Sequence, residues 1–325
     1  METFFVITNR QKDPEFETAD FIQEYLERCG KTCYVQDQYS ARQMTDECTK
    51  GTDAGREPEK ATWSIDRIDS EKEGWQENPE NRPEAGFKYT DARKIPDDVD
   101  CVLVLGGDGT LLQAARDLVE RAIPLLGINM GTLGYLAEID RKSIRPALDK
   151  LIAGQYIVEE RMMLRGSAYH QNRRLLSDIA LNDIVISRNG RMRVVDFNVY
   201  VDGVFLNSYS ADGMIISTPT GSTGYNLSAG GPIVAPQASL MLLTAIAPHT
   251  LSSRPIVLPD DVEIMIEIGA SHGTDMDGAE ATFDGDTSVK LNAGDRIVIT
   301  KSEQRTHLVK TKNTSFLEIL REKMK

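Results

Sequence analysis

The apolar run Val99-Asp-Cys-Val-Leu-Val-Leu105 passes without a spacer into Gly106-Gly107-Asp108-Gly109-Thr110, and a helical pattern follows at once. A run of this kind suits a strand buried on both faces, the situation of parallel sheets covered by helices. Leu111, Leu112, Ala115, Leu118 and Val119 then fall on one helical face, and Ile123 to Asn129 reads as the next strand, which closes a β-α-β unit. The junction therefore fixes an α/β fold with a parallel sheet. Three glycines allow a ligand close to the backbone, and the free N–H groups at the helix start suit phosphate oxygens. The spacing is neither G-x-G-x-x-G nor G-x-x-x-x-G-K-[ST], so neither motif's ligand can be assumed. The plainer reading is a tight turn with Asp108 capping the helix.

Other segments extend this unit. Phe4 to Thr8 reads as a strand and Ala19 to Cys29 as a helix, and Met130-Gly-Thr-Leu-Gly-Tyr135 leaves the same carboxyl edge of the sheet as the GGDGT loop. Residues 46–98 carry 15 acidic and 9 basic side chains with little apolar periodicity, and are expected to form a mobile insertion. Beyond about residue 156 the period changes to two, as in Val195, Phe197, Val199 and Val201 and in Val262, Ile264, Ile266 and Ile268. Asp202-Gly203, Asp284-Gly285 and Ala293-Gly294-Asp295 mark turns between such strands. The 325 residues thus divide into an α/β domain (1–155), a β-rich, sandwich-like domain (156–310) and a C-terminal helix (311–325) able to return to the first domain.

With 37 basic against 50 acidic residues the net charge is −13, which argues against a nucleic-acid or membrane-surface partner. No apolar stretch is long enough to span a bilayer, and the start METFFVITNR lacks a basic n-region, so a cytoplasmic location is expected. Cys29, Cys33, Cys48 and Cys101 and the single histidines lack zinc spacing and read as free thiols and ordinary side chains.

Two further clusters are polar where a core would not be. Asp212-Gly-Met-Ile-Ile-Ser-Thr-Pro-Thr-Gly-Ser-Thr-Gly-Tyr-Asn-Leu-Ser-Ala-Gly-Gly-Pro232 is dense in hydroxyls and glycines. Asn182-Asp183 stands just before the apolar run Ile184 to Ile186. Hydroxyls, amides and carboxylates can hold a base edge or ribose, although Ser and Thr also cap their own turns.

Together and in this order, GGDGT, Asn182-Asp183 and TPTGSTGY resemble the NAD kinase family. FFVITNR, GTLGYL, Glu160-Arg161-Met-Met-Leu164 and Pro248 to Pro259 are similar to that family's framework. The resemblance implies an α/β domain and a β-rich domain with the site between them. It implies transfer of a phosphoryl group from ATP, another nucleoside triphosphate or polyphosphate to the adenosine-ribose 2′-hydroxyl of NAD, with a divalent cation, Mg²⁺, and a homo-oligomer, dimer or tetramer. Asp108 would accept the proton, with Gly106, Gly107 and Thr110 as the phosphate loop. NAD would meet Gly109, Tyr135, Asn182, Asp183, Arg193, Asp212, Thr220, Thr223, Gly224, Tyr225, Asn226, Leu227, Ser228 and Ala247; no metal ligand is named. Four positions depart from the family's pattern: Asp183 stands for the usual Glu, Gly224 for Ala, Gln113 for Arg and Asp286 for Gln. These bear on affinity more than on activity. A lipid kinase of the diacylglycerol or sphingosine type shares the GGDGT loop but not the other clusters, and a non-catalytic dinucleotide sensor would have no need of Asp108.

Overall fold

The computed structural model describes residues 1–36, 90, 92–131, 134–137, 139–189, 194–250, 253–269, 278–312 and 315–324. The first domain runs β1 (Thr3–Thr8), α1 (Glu17–Arg28), β2 (Thr32–Val35), β3 (Cys101–Gly106), α2 (Asp108–Asp117), β4 (Leu125–Asn129), β5 (Ile139–Asp140) and α3 (Ile144–Ile152). All its strand pairs are parallel, and β1 and β3 are buried throughout. Side chains alternate between the two faces: Phe4, Val6, Leu103 and Leu105 pack with Ile22, Leu26 and Leu148, while Phe5, Ile7, Val102 and Val104 pack with Leu111, Ala114 and Leu118. Helices thus cover both faces, as the uninterrupted apolar run of β3 requires.

Helix α1 ends where Gly30 adopts φ 74°, with Lys31 N–H bonded back to Leu26 O. This separates Cys29, which is exposed, from the buried Cys33, whose thiol burial pushes up to about 12, as it does that of Cys101. Neither buried thiol is a nucleophile near neutral pH.

The expected insertion over 46–98 lies outside the described residues as far as 89 and at 91. Its last residues are packed: Ile95 is buried, and the Arg121 guanidinium donates to the carbonyls of Ala92, Ile95 and Pro96.

The second domain supplies β6 (Ile157–His170), β7 (Arg173–Ala180), β8 (Asp183–Arg188), β9 (Val195–Val201), β10 (Val204–Ala211), β11 (Gly213–Ser217), α4 (Tyr225–Ser228), β12 (Leu240–Ile246), β13 (Ile256–Pro259), β14 (Ile264–Ile268), β15 (Ala279–Phe283), β16 (Thr287–Leu291) and β17 (Arg296–Lys310). Strands β13, β12, β11, β8, β15 and β16 form an antiparallel sheet in that order. It packs on β9, β14, β17 and their neighbours through Ile184, Ile216, Phe283, Phe197, Ile266 and Ile297, which makes the sandwich.

The two domains do not have separate sheets. Strand β17 pairs with β14 and β6 and, at Leu308 opposite Leu125, runs parallel to β4, so one eleven-stranded sheet crosses both. Helix α5 (Phe316–Lys323) begins with a capping box between Ser315 and Glu318 and places Lys323 Nζ 5.1 Å from the centroid of the Tyr135 ring in the first domain. Among the described residues no helix is long and apolar enough to cross a membrane.

Candidate active site

Asp108 is the first residue of α2, and its carboxylate makes no cap bond to that helix. It turns instead to the loop after β4. Tyr135 N–H donates to Oδ2 at 2.7 Å, and Leu136 and Ala137 N–H donate to Oδ1 at 3.2 and 3.1 Å. Position 134 must be glycine for this, because a Cβ there would fall 1.9 Å from Asp108 Oδ1. The capping interpretation of Asp108 is thereby corrected: the carboxylate fastens two loops that the parallel sheet brings to one edge. A carboxylate has about four lone-pair sites, so the three bonds from described residues leave Asp108 one acceptor site for a ligand.

A cleft of about 480 Å³ opens here, lined by Asn9, Lys12, Gly107, Asp108, Gly109, Thr110, Gln113, Asp284, Gly285 and Asp286. Its far wall is the three-residue turn between β15 and β16, where Asp284 and Gly285 take left-handed φ of 51° and 69° and Asp286 N–H bonds back to Phe283 O at 3.0 Å. The Asp284 carboxylate accepts from Leu181 N–H at 2.7 Å, Asn182 N–H at 2.8 Å and Asp183 N–H at 3.1 Å. The same turn that faces Asp108 therefore holds the Asn182-Asp183 pair.

Arg116 locks this turn to the first domain. Its guanidinium, 6% exposed, reaches Asp178 at 2.5 Å, Asp286 at 2.8 Å, Thr287 Oγ1 at 2.7 Å and Phe283 O at 3.1 Å. Gln113 Nε2 donates to the same Asp286 oxygen at 3.1 Å. Two of the four departures from the family's pattern thus touch each other: a donor amide at 113 meets an acceptor carboxylate at 286.

Asp183 is 6% exposed, and burial, helped by the neighbouring Asp284 charge, pushes its carboxyl up to about 7. Asp284 is also raised by burial, against the opposing pull of Arg116 and its three N–H donors. Beside Asp183, Asn182 Oδ1 is buried with no donor among the described residues. A Cβ on Gly224 would stand 3.4 Å from Asn182 Nδ2 and 3.7 Å from Asp183 Oδ2, so the TPTGSTGY turn lies directly against the pair.

Within that turn most hydroxyls serve the backbone. Ser217 donates to the carbonyls of Asn182 and Thr218, Thr218 to Leu181 O, Ser222 to Val234 O and Thr223 to Thr220 O. Thr220 Oγ1 is buried and unpartnered among the described residues. Tyr225, Leu227 and Ser228 are exposed and free to meet a ligand. Asn226 is not: it is fully buried, its amide bonded to Ser222 O, Pro232 O and the Thr244 hydroxyl. Its polar atoms hold the turn together. Asp212 is ion-paired with Arg188 at 2.9 Å, and Ala247 is exposed with φ 44°. Arg193 lies outside the described residues.

Sequence reasoning missed that Asn9, Lys12 and Asp284 line this cleft and that Arg116 braces its wall. The Asp284-Gly285 pair signalled only a turn, and nothing local marks a carboxylate whose partners lie about a hundred residues away.

Comparison with known proteins accords with this arrangement. Residues 4–156 match the ATP-NAD kinase N-terminal domain and residues 181–311 the ATP-NAD kinase C-terminal domain. The chain is 43% identical over 333 residues to an NAD kinase of Lachnospira eligens, with all of both chains covered. It is 39% identical to one of Lachnoclostridium phytofermentans, with 99% of each covered. Among solved structures, yeast NADH kinase complexed with NADH aligns with a TM-score of 0.73 at 23% identity, over 100% of this chain and 87% of that one. An NAD kinase from Archaeoglobus fulgidus in complex with ATP aligns with a TM-score of 0.67 at 24% identity, over 99% and 98%.

Proposed function

This chain belongs to the NAD kinase family, and from that premise we propose how its cleft carries a phosphoryl group from ATP to the adenosine-ribose 2′-hydroxyl of NAD. The observation that carries the reading is the Asp284 turn, which walls the cleft opposite Asp108 and also holds Asn182-Asp183 in place. Asn182 Oδ1, buried and lacking a donor among the described residues, suits the exocyclic amine of adenine, and Asp183 the ribose hydroxyls. Exposed Tyr225, Leu227 and Ser228 cover the base, with Asp212 toward the nicotinamide end.

The 2′-oxygen attacks the terminal phosphorus of ATP and forms the new P–O bond as the bond to the β,γ-bridging oxygen breaks. Its proton passes to the remaining acceptor site of Asp108, and ADP leaves. The transition state is loose, so positioning and charge neutralisation matter more than covalent help.

Each carboxylate lining the cleft is already engaged: Asp108 and Asp284 by backbone N–H groups, Asp286 by Arg116 and Gln113. The residues present therefore fit a divalent cation of the Mg²⁺ kind held mainly by donor phosphates and water, which is how that ion is commonly bound. When bound, it would neutralise charge on the transferring phosphates. A homo-oligomer belongs to this reading, supported by Val204, Phe205 and Leu206, which are exposed on the edge strand β10.

Asp183 tests the reading. Asp183→Ala is expected to raise the KM for NAD about tenfold, roughly 1.4 kcal/mol, with a smaller change in kcat and little in the KM for ATP. Only the ionised carboxylate accepts well from ribose hydroxyls. With Asp183 pushed up to about 7, the parent's KM for NAD should therefore fall from pH 6 to 8, and the alanine variant's should not follow it. A lowered melting temperature with unchanged NAD kinetics would reduce Asp183 to a structural residue.

A further inference from the structure

The cleft around Asp108 is short of positive charge. Of the ten residues that line it three are carboxylates and one, Lys12, is cationic. Any phosphate brought to Asp108 is a polyanion entering an acidic cleft. The donors that offset the three carboxylates are already committed to them, so they contribute little to a ligand.

Lys12 is placed and held for that task. Its ammonium lies over the GGDGT loop: a Cβ on Gly107 would fall 2.7 Å from Nζ, and one on Gly131 would fall 3.8 Å away. No described residue pairs with the ammonium. The backbone beneath it is fixed on every side. Asn9 N–H donates to Leu105 O at 2.9 Å, Asn9 Nδ2 to Thr110 Oγ1 at 3.1 Å, and Asn9 Oδ1 accepts from Gln11 N–H at 3.0 Å. Lys12 N–H bonds to Asn9 O at 2.9 Å, and its carbonyl accepts from Arg141 at 3.3 Å. Asp13, 3% exposed, accepts from Thr18 and Ala19 N–H and anchors the segment to α1. Such fixing is more than an exposed lysine needs for solubility.

We infer that Lys12 is the residue with which this protein grips the polyphosphate of the phosphoryl donor, resting on the proposed function above. Apart from Gly109 and Tyr135, the residues assigned to NAD come from the second domain, whereas Lys12 stands on the first, beside the loop that carries Asp108. An ammonium there neutralises charge on the donor's terminal phosphates beside the loop that carries Asp108. Lysine acts as a point charge on phosphate, so it serves triphosphates and longer inorganic chains alike.

The test is Lys12→Met and Lys12→Arg in the full chain. For Lys12→Met we expect the KM for ATP to rise at least about tenfold and the KM for NAD to stay within about twofold. Calorimetric titration with Mg²⁺-tripolyphosphate, which needs no turnover, should show a matching loss of affinity. Lys12→Arg keeps the charge and should recover most of both. The side chain is exposed, so melting temperatures should agree among the three proteins. An unchanged KM for ATP in Lys12→Met, or a rise confined to NAD, overturns the inference while leaving NAD kinase activity standing. Absence of NADP formation in the parent protein would instead strike the proposed function.

Discussion

Asp108→Asn should turn over at least about a hundredfold more slowly than the parent while NAD binding, measured by calorimetry, changes only a few-fold. The amide keeps the shape of the carboxylate but takes no proton. A ribose hydroxyl is too weak an acid to ionise by itself near neutral pH, so the late proton transfer has no acceptor. The geometry adds a second consequence. Both oxygens of Asp108 accept backbone N–H groups, from Tyr135 on one and from Leu136 and Ala137 on the other. In the variant one oxygen becomes an NH₂ facing a donor, so stability should also drop, by about 1 kcal/mol or somewhat more. A variant with near-parental turnover removes Asp108 as the base. A variant that loses NAD binding altogether shows instead that the carboxylate's chief work is to hold the loop.

Arg116→Met should cost about 3–5 kcal/mol, because it leaves Asp178 and Asp286 without their cation in a site where the guanidinium is only 6% exposed. At roughly 1.5 °C per kcal/mol for a chain of 325 residues, the melting temperature should fall by about 4–7 °C. The loss also frees the Asp284 turn from α2, so both substrates should bind more weakly in whatever fraction stays folded. Arg116→Lys keeps the charge without the fork and should lie between. A melting temperature within about 2 °C of the parent's would show that the turn is held by other means.

The parts of the site that were legible in the sequence are those written within one stretch of chain. The strand, the GGDGT loop and α2 are contiguous, and burial of β3 on both faces is stated by its own unbroken apolar run. Period-two alternation in β9 and β14 marked the sandwich, and Asp-Gly pairs marked its hairpins. What escaped is what depends on distant partners. The parallel pairing of β17 with β4 joins Leu308 to Leu125, and no local pattern announces that one sheet crosses both domains. Arg116 reads as an ordinary polar residue on an amphipathic helix until β15 and β16 arrive beside it. Asn226, an amide in a glycine- and hydroxyl-rich segment, reads as ligand-facing, whereas in the fold Thr244 and two carbonyls enclose its side chain. Departures from the family's pattern gained meaning only in space, where Gln113 meets Asp286.

In the proposed mechanism one cleft, with Asp108 on one wall and the Asp284 turn on the other, passes phosphate from ATP to the 2′-hydroxyl of NAD. The most direct measurement is incubation of the intact protein with NAD, ATP and Mg²⁺, with the product identified by an NADP-specific dehydrogenase and by phosphorus NMR. The expected product is a 2′-phosphomonoester on the adenosine ribose, formed one-to-one with ADP. NAD binding without ADP or NADP formation, or ADP formed only when diacylglycerol or sphingosine is supplied, would contradict it.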